Sequence, residues 1–548
     1  MTSRAEEASD PQQGGSGGDY NSFADYVRFL RACAPYRTIM LAETLSIAGN
    51  WFAWVATLSA VTATGGASGL LLGTALVMKY LPSLLAFPIA GAAADTFNRQ
   101  RIMVLSCVFG GAMSLLLAGV VAGTATMHSV DDTTALTSQD RDVPRLVALN
   151  VLVFLWALSS AFYEPARRAV VPAVVSPRQL PLATTLDSMV WSVMTAVFAA
   201  IGGYSRALLG PSPCFLIDAT TFALNGVLVA RMDLPHNAIL PADDAHHAAQ
   251  PQPDTFGAFL RSSARKGGAM VAEGLSFVAR AGNRDVLAIV LVKGCGSLAW
   301  GAADVLGARL AELPQYQALG DAPATMGWLF AAVGMGCLVG PIVFNRLTPV
   351  RGDALLKGIW QSFAIMAGGY SLMAMSPGIS TLIAATVARS AGSAVLWNYS
   401  SLILQYRVGH EMLGRVFALE LALSTAGECA SGLGGGLLVD GVGGWGGLSI
   451  KQVVQVMAGL AGAVCVSWLL YWLRSWRSFS RLGPDAEPAA AREHELAPLV
   501  KAPGQGPGKV HWDEAVVERG DVEEAARGEV RRRSFAGSER RVSRESEL

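Results

Sequence analysis

Charge is what this sequence has least of. Of its 548 residues, 15% are Asp, Glu, Lys or Arg, against roughly 25% in an ordinary soluble domain. A water-soluble globule of this length cannot cover itself with so little polar surface. The charge present is balanced, 42 basic against 42 acidic residues, so the electrostatic footprint of a nucleic-acid binder is missing. The 7 cysteines stand apart, without the Cys-x-x-Cys or Cys/His spacing of a metal or redox site. No cofactor or metal is expected. There is no phosphate-cradling Gly-x-x-x-x-Gly-Lys, which argues against an ATP-driven pump, and no Ser/His/Asp constellation that would mark an enzyme. The first 35 residues hold Glu6, Glu7, Asp10, Asp19 and Asp25 and no apolar h-region, so they read as neither a cleavable signal nor a transit peptide.

What fills the chain is apolar: 52% hydrophobic residues, mean hydropathy +0.39. About 20 mostly apolar residues cross the hydrocarbon of a bilayer. Such runs lie near 38–63, 68–94, 102–124, 145–163, 183–207 and 213–231, then near 285–308, 324–345, 354–376, 379–404, 415–439 and 452–473. The expected fold is therefore all-α and polytopic, with 12 transmembrane helices arranged as two pseudo-symmetric six-helix bundles. The organisation reads as a tail over 1–35, a first bundle over 36–231, a linker over 232–283, a second bundle over 284–475 and a charged tail over 476–548. The linker is rich in Pro, Asp and His and cannot bury a core. Its segment 269–281 has the pattern of a short interfacial helix.

Lys and Arg gather on one side of these spans. Arg99, Arg101, Arg167, Arg168, Arg346, Arg351, Lys357, Arg407 and Arg415 share it, whereas the opposite loops hold Arg141, Arg145, Arg206, Arg309 and Lys451. By the positive-inside rule both termini are expected in the cytoplasm. The protein is expected in the plasma membrane or an organelle membrane, as a monomer in the lipid bilayer.

Two runs repeat at equivalent places. Gly91-Ala-Ala-Ala-Asp95-Thr-Phe-Asn-Arg99-Gln-Arg101 follows the second span, and Gly340-Pro-Ile-Val-Phe-Asn345-Arg346 follows the eighth. Such internal repetition marks secondary transporters, whose halves move about a central site. The first run resembles the G-x-x-x-D-R-x-G-R-R loop of the major facilitator superfamily, with Thr96 and Asn98 departing from it. Phe162-Tyr-Glu-Pro165-Ala-Arg167-Arg-Ala-Val-Val-Pro172 and Gly414-Arg415-Val-Phe-Ala-Leu look like the drug:proton antiporter branch that includes macrolide and enterobactin exporters. Span 5 carries Phe198-Ala-Ala-Ile-Gly202-Gly203, which keeps only the glycines of that branch's G-P-x-x-G-G element. The resemblance implies alternating access and a gating set of Gly91, Asp95, Arg99, Arg101, Pro165, Arg167, Arg346 and Arg415. Asp95 is expected to latch to Arg101 or a neighbouring base, and Gly91 to allow a close helix crossing.

Ionisable groups inside apolar spans cost about 2.5–3.5 kcal/mol each on insertion scales and are functional candidates. The resemblance places spans 1, 4, 7 and 10 around a central cavity. Three stripes on those spans mix charge with aromatic rings: Glu43, Asn50 and Trp54; Lys293, Trp300 and Asp304; Arg389, Trp397 and Asn398. They suit an amphiphilic or aromatic solute held by stacking and one or two charges. The same groups also fit simple neutralisation between helices, Glu43 with Arg389 and Lys293 with Asp304. Glu428 has no base near it in sequence and is a candidate proton relay. Lys79 is expected to snorkel outward, and Asp187 and Asp218 to cap or cross-link spans 5 and 6. The leading reading is a secondary transporter that exports a small amphiphilic substrate coupled to protons. A lysophospholipid or metabolite uniporter and a non-transporting membrane receptor are the alternatives.

Overall fold

The computed structural model describes residues 23–65, 68–127, 138–176, 179–239, 256–441 and 447–480. Every regular element among them is helical. The chain runs α1 (Phe23–Ala32), α2 (Ala34–Gly65), α3 (Gly69–Thr96), α4 (Arg99–Met127), α5 (Ser138–Val174), α6 (Leu180–Leu209) and α7 (Pro211–Ala230). After the short α8 (His236–Ile239) come α9 (Phe256–Ala279), α10 (Arg284–Trp300), α11 (Ala303–Ala311) and α12 (Ala322–Leu347). Last are α13 (Gly352–Met375), α14 (Ile379–Arg407), α15 (His410–Asp440) and α16 (Ile450–Phe479).

Among the described residues 11 helices are long and apolar enough to cross a membrane, with α10 and α11 counted as one span. The twelfth expected span is α13, a helix of 24 residues in the right place. Lys357, Gln361, Ser362 and its paired glycines make it more polar than the others. Helix ends follow local chemistry. Ser68 caps α3 by accepting the Leu71 N–H, and Asp321 caps α12 by accepting that of Ala324. Ser449 and Gln452 form a reciprocal capping box at α16. Gly210 and Gly441 stop α6 and α15 with φ of +88° and +77°, a region open to residues without a Cβ.

Four apolar clusters hold the described helices together, the smallest setting Phe29 and Tyr36 against Val175 and Leu182. One is drawn from residues 39–238 and includes Trp156, Phe215 and Phe222; another, from residues 278–479, includes Phe363, Tyr370 and Tyr399. The third joins the two groups of helices, setting Trp54, Leu58 and Leu76 against Val305, Met326 and Phe330. The outside is also apolar: Leu105, Val108, Leu115, Leu208, Leu372 and Val466 are all more than half exposed. In water that surface would aggregate; in lipid it is the solvated face.

Four features differ from the sequence reading. Residues 23–32 of the expected N-terminal tail form α1, whose Phe29 ring lies 5.0 Å from that of Tyr36 of α2. The fourth span runs on to Val174 and contains Pro165 and Pro172 within one helix. Span 7 is broken at Gly301–Ala302. The interfacial segment expected at 269–281 is the end of the longer α9, which packs on α3 and α15 rather than lying alone. Residues 240–255 of the linker, Asp131 and Asp132, and the charged tail from 481 lie outside the described residues.

Candidate functional site

The α3–α4 and α12–α13 turns, with Arg99, Arg101, Arg346 and Arg351, define a basic end of the molecule; the opposite end carries Gly210 and Asp440. That opposite end is sealed by two seams between the N-terminal helices (α2–α7) and the C-terminal ones (α10–α16). In the first, Gly69 and Gly73 of α3 face Gly436 and Gly432 of α15. A methyl group on Gly73 would lie 2.7 Å from the Gly432 carbonyl oxygen, so backbone meets backbone here. Asp440 then closes over the start of α3. Its carboxylate accepts the Gly69 N–H at 2.7 Å, the Leu70 N–H at 2.9 Å and the Ser68 hydroxyl at 2.7 Å. A carboxylate on free helix N-terminal amides is favoured by both hydrogen bonding and the helix dipole. In the second seam α6 meets α12, where a methyl on Gly327 would lie 2.6 Å from the Ala199 carbonyl oxygen. Beside the seams is a cavity of about 330 Å³ lined by residues such as Thr62, Arg206, Glu312 and Asp321. Glu312 pairs with Arg309, and burial holds its carboxyl above the usual range against that pull.

Below this seal the break in span 7 assembles a cluster from both groups of helices. Gly301 lets α15 approach, since a Cβ there would sit 2.7 Å from Glu428 Cα, and the Ala302 N–H freed by the break donates to Ser431 Oγ at 2.9 Å. The two indoles flanking the cluster each donate to a carboxylate: Trp54 Nε1 to Asp304 Oδ2 at 3.0 Å, Trp300 Nε1 to Glu428 Oε1 at 3.1 Å. Lys79 Nζ lies 3.8 Å from the Trp54 ring centroid and acts electrostatically on both carboxylates' neighbourhood, Tyr80 being 5.4 Å away. Trp397 stands 6.2 Å from Trp300 and is partly exposed. Arg389 is buried, stacks at 5.3 Å on Tyr370 and donates to Ser390 Oγ at 3.2 Å, while its Nε has no partner. No ion pair within 4.0 Å joins Lys79, Asp304, Arg389 or Glu428 among the described residues.

Two other charged centres are closed. Lys293 Nζ reaches Glu420 Oε2 at 2.8 Å and Ser401 Oγ at 2.7 Å, over the Trp397 ring at 4.3 Å. In the N-terminal helices Arg167 is ringed by carboxylates: Asp187 at 2.7 Å, Glu164 at 3.1 Å and Glu43 at 3.2 Å. Next to it lies a cavity of about 160 Å³ lined by Glu43, Asn50, Ser159, Tyr163 and Glu164, with no C-terminal helix contributing.

The structure thus re-pairs the expected groups. Glu43 meets Arg167, not Arg389, and Lys293 meets Glu420, not Asp304. Trp54, Trp300, Asp304 and Trp397 come together with Glu428, whereas Glu43 and Asn50 line the separate cavity and Asn398 is exposed. Lys79 turns inward onto Trp54 instead of snorkelling. Asp187 ties α6 to α5 through Arg167, and Asp218 ties α7 to Ser114 of α4 at 2.5 Å and Trp156 of α5 at 3.0 Å, so neither cross-links spans 5 and 6. Gly91 has open space where a close crossing was expected. Asp95, Arg101 and Arg346 are exposed and have no ion pair among the described residues. Arg99 donates to the Ala94 carbonyl at 3.0 Å, and Arg415 pairs with Glu273 of α9 at 3.0 Å. Sequence reasoning missed Glu420 and Asp440. The small-xxx-small pairs in α3 and α15 were a legible signal for the seam that Asp440 completes.

Broken helix, internal seams and a charged midplane cluster are the layout of a carrier, and comparison with known proteins agrees. The Major Facilitator Superfamily profile matches residues 39–306. This is a membrane transporter, similar over those residues, just under half of the chain, to the major facilitator type. An uncharacterized MFS-type transporter of Bacillus subtilis, YfiS, is 24% identical to it over 74% of this chain and 87% of that one. The multidrug efflux pump Tap of Mycobacterium tuberculosis is 26% identical over 66% of this chain and 77% of its own length. Among solved structures, the nucleoside transporter NupG superposes with a TM-score of 0.55 at 11% identity, covering 80% of this chain and 98% of NupG. A bacterial homologue of the iron transporter ferroportin in its inward-facing state gives 0.55 at 13% identity, covering 79% of this chain and 98% of that one. At such identities the structures speak for the fold alone.

Proposed function

We propose that this transporter works by alternating access and exports a small amphiphilic molecule with an aromatic face and at least one charge, in exchange for protons. The observation that carries the reading is the cluster of Trp54, Lys79, Trp300, Asp304 and Glu428. Charges from both groups of helices face one another there without closing into contact pairs, between indole rings that favour a flat or cationic solute. A buried charge left unpaired is costly, and a bound amphiphile relieves that cost. The likeness to a multidrug efflux pump supports the direction of transport.

With both termini and the basic end in the cytoplasm, the described state has its outer end sealed by Asp440 and the glycine seams, and its inner latch undone. Asp95 then finds its partner only in the opposite state. Cysteines placed at Pro349 and Ser129 are expected to react with an impermeant thiol reagent from the cytoplasmic and external sides respectively; the reverse pattern would overturn the orientation. The functional test is efflux from proteoliposomes across a library of amphiphiles, with and without an imposed pH gradient. Gradient-driven efflux of aromatic, charged solutes is expected. Gradient-independent flux would mean uniport, and no flux with any solute would mean a receptor. Trp54→Ala should weaken substrate binding at least tenfold, because it removes both the ring beneath Lys79 and the donor to Asp304. Unchanged affinity in that variant would remove the cluster from the substrate site.

A further inference from the structure

The cavity at the sealed end is walled by both groups of helices and lies apart from the substrate cluster. Gly203 of α6 packs so closely on α12 that a methyl on it would lie 2.7 Å from the Pro323 carbonyl oxygen and 2.8 Å from Gly327 Cα. Arg206, three residues further along α6, falls on the same helix face and is thereby brought to the start of α12. With Ser59 and Thr62 of α2, Glu312 at the end of α11, and Asp321, it lines a space of about 330 Å³. Sites for small organic molecules run from roughly 300 to 1,000 Å³, so this space suits a small metabolite.

The charges on its wall are not all answered. Glu312 is matched by Arg309. No carboxylate oxygen lies within 4.0 Å of the partly buried Arg206 guanidinium among the described residues, and its buried Nε donates to nothing. Asp321, exposed at the mouth, accepts the Ala324 N–H with Oδ1 and makes no ion pair, although its charge acts on Arg206. The cavity thus presents one open cation and one partly open anion that do not meet. An acid alone would satisfy Arg206 and be repelled by Asp321, and an amine alone would face the reverse. A molecule with both charges satisfies both. The Arg206 fork matches a carboxylate, and Ala63, Ala308 and Met326 make the rest of the wall apolar.

We infer that this cavity binds a small zwitterion of the amino-acid type with an apolar side chain, its carboxylate on Arg206, its ammonium toward Asp321 and its side chain against Ala308 and Met326. One wall comes from α2 and α6, the other from α11 and α12, so the complete site exists only while this end is shut. A ligand that binds one conformation better than another shifts the population toward it. The bound zwitterion therefore holds the seal closed and restrains the cycle from that side. The site does not depend on the exporter reading, because none of its residues belongs to the substrate cluster.

The test follows heat unfolding of the purified full-length protein in nanodiscs at fixed pH and ionic strength. The probes are leucine, 4-methylpentanoate, which lacks the amine, and 3-methylbutylamine, which lacks the carboxyl. Leucine is expected to raise the melting temperature saturably, and each analogue to need a concentration about tenfold higher or more. Arg206→Gln should weaken leucine by about tenfold, and Arg206→Lys, which keeps the charge, should recover part of that loss and so control for folding. Asp321→Asn, which still caps α12, should weaken leucine while leaving 4-methylpentanoate unchanged. No stabilisation by leucine overturns the proposal, and so does equal stabilisation by either analogue, which would reduce the site to one charge. Leucine binding that survives Arg206→Gln but is lost in Trp300→Ala also overturns it, by moving the ligand to the substrate cluster.

Discussion

Glu420→Gln is expected to destabilise the protein by about 3–5 kcal/mol, because it strands the Lys293 ammonium in a site built to neutralise it. Lys293 and Glu420 are both almost fully buried, at 5% and 1% exposure. Once the carboxylate is gone, Lys293 keeps the neutral amide oxygen that replaces it, the Ser401 hydroxyl and the faces of Trp397 and Phe417, none of which carries a compensating charge. Thermal unfolding in detergent should show a clear drop for Glu420→Gln and for Lys293→Met alone. The double change Lys293→Met with Glu420→Met should recover most of it, since a buried pair exchanged for apolar side chains of similar volume is often neutral. Wild-type melting of Glu420→Gln would mean that the pair contributes nothing. Failure of the double variant to recover would mean that Lys293 acts through more than its partner.

Asp440→Asn is expected to open the sealed end. Hydrogen bonds to a charged group contribute about 1.5–3 kcal/mol each, and the Asp440 carboxylate accepts three across the α3–α15 seam. The amide keeps one acceptor oxygen and loses the charge, so a loss of roughly 2–3 kcal/mol is reasonable. That moves an equilibrium between two conformations by one to two decades. Spin labels on cysteines at Thr62 and Ala322, which line the cavity at that end, should report it in an otherwise cysteine-free protein. The distance distribution should lengthen in Asp440→Asn. An unchanged distribution would show that the glycine seams alone keep this end shut.

Much of the fold could be read from the sequence because bilayer thickness turns apolar length into a helix count. Partners across helices could not be read, because they depend on how far each helix is rotated about its axis. Glu43 and Arg389 looked like a matched pair on two cavity spans, yet α2 turns Glu43 toward α5 and Arg167. Glu420 was not singled out, for a related reason: its depth. The apolar run near 415–439 places it in the first turns, but α15 begins at His410, so Glu420 lies ten residues in, about 15 Å along the axis. Lys79 was expected to reach for water, and the ring of Trp54 holds it inside instead. Nothing in the sequence set Asp440 apart; only the meeting of Gly69 with Gly436 shows that it faces a helix start on another span. The aromatic and charged content of the cluster proposed to bind substrate was legible because ionisable residues are rare in lipid-spanning segments.

The linker helix α9 gives the transporter a mechanical property of its own. It lies against α3 and α15, the same two helices whose opposite ends are clasped by Asp440. Phe259 meets Phe97 at the end of α3 with ring centroids 5.1 Å apart, and Glu273 holds Arg415 near the start of α15. Those two helices are therefore tied at both ends, by a carboxylate on backbone amides above and by a helical crossbar below. On the proposed alternating-access reading the basic end can widen only as far as the reach of α9 permits before Phe259 lifts or Glu273 lets go. The linker helix would then bear on how far the helices open, and not on the cluster proposed to hold the substrate.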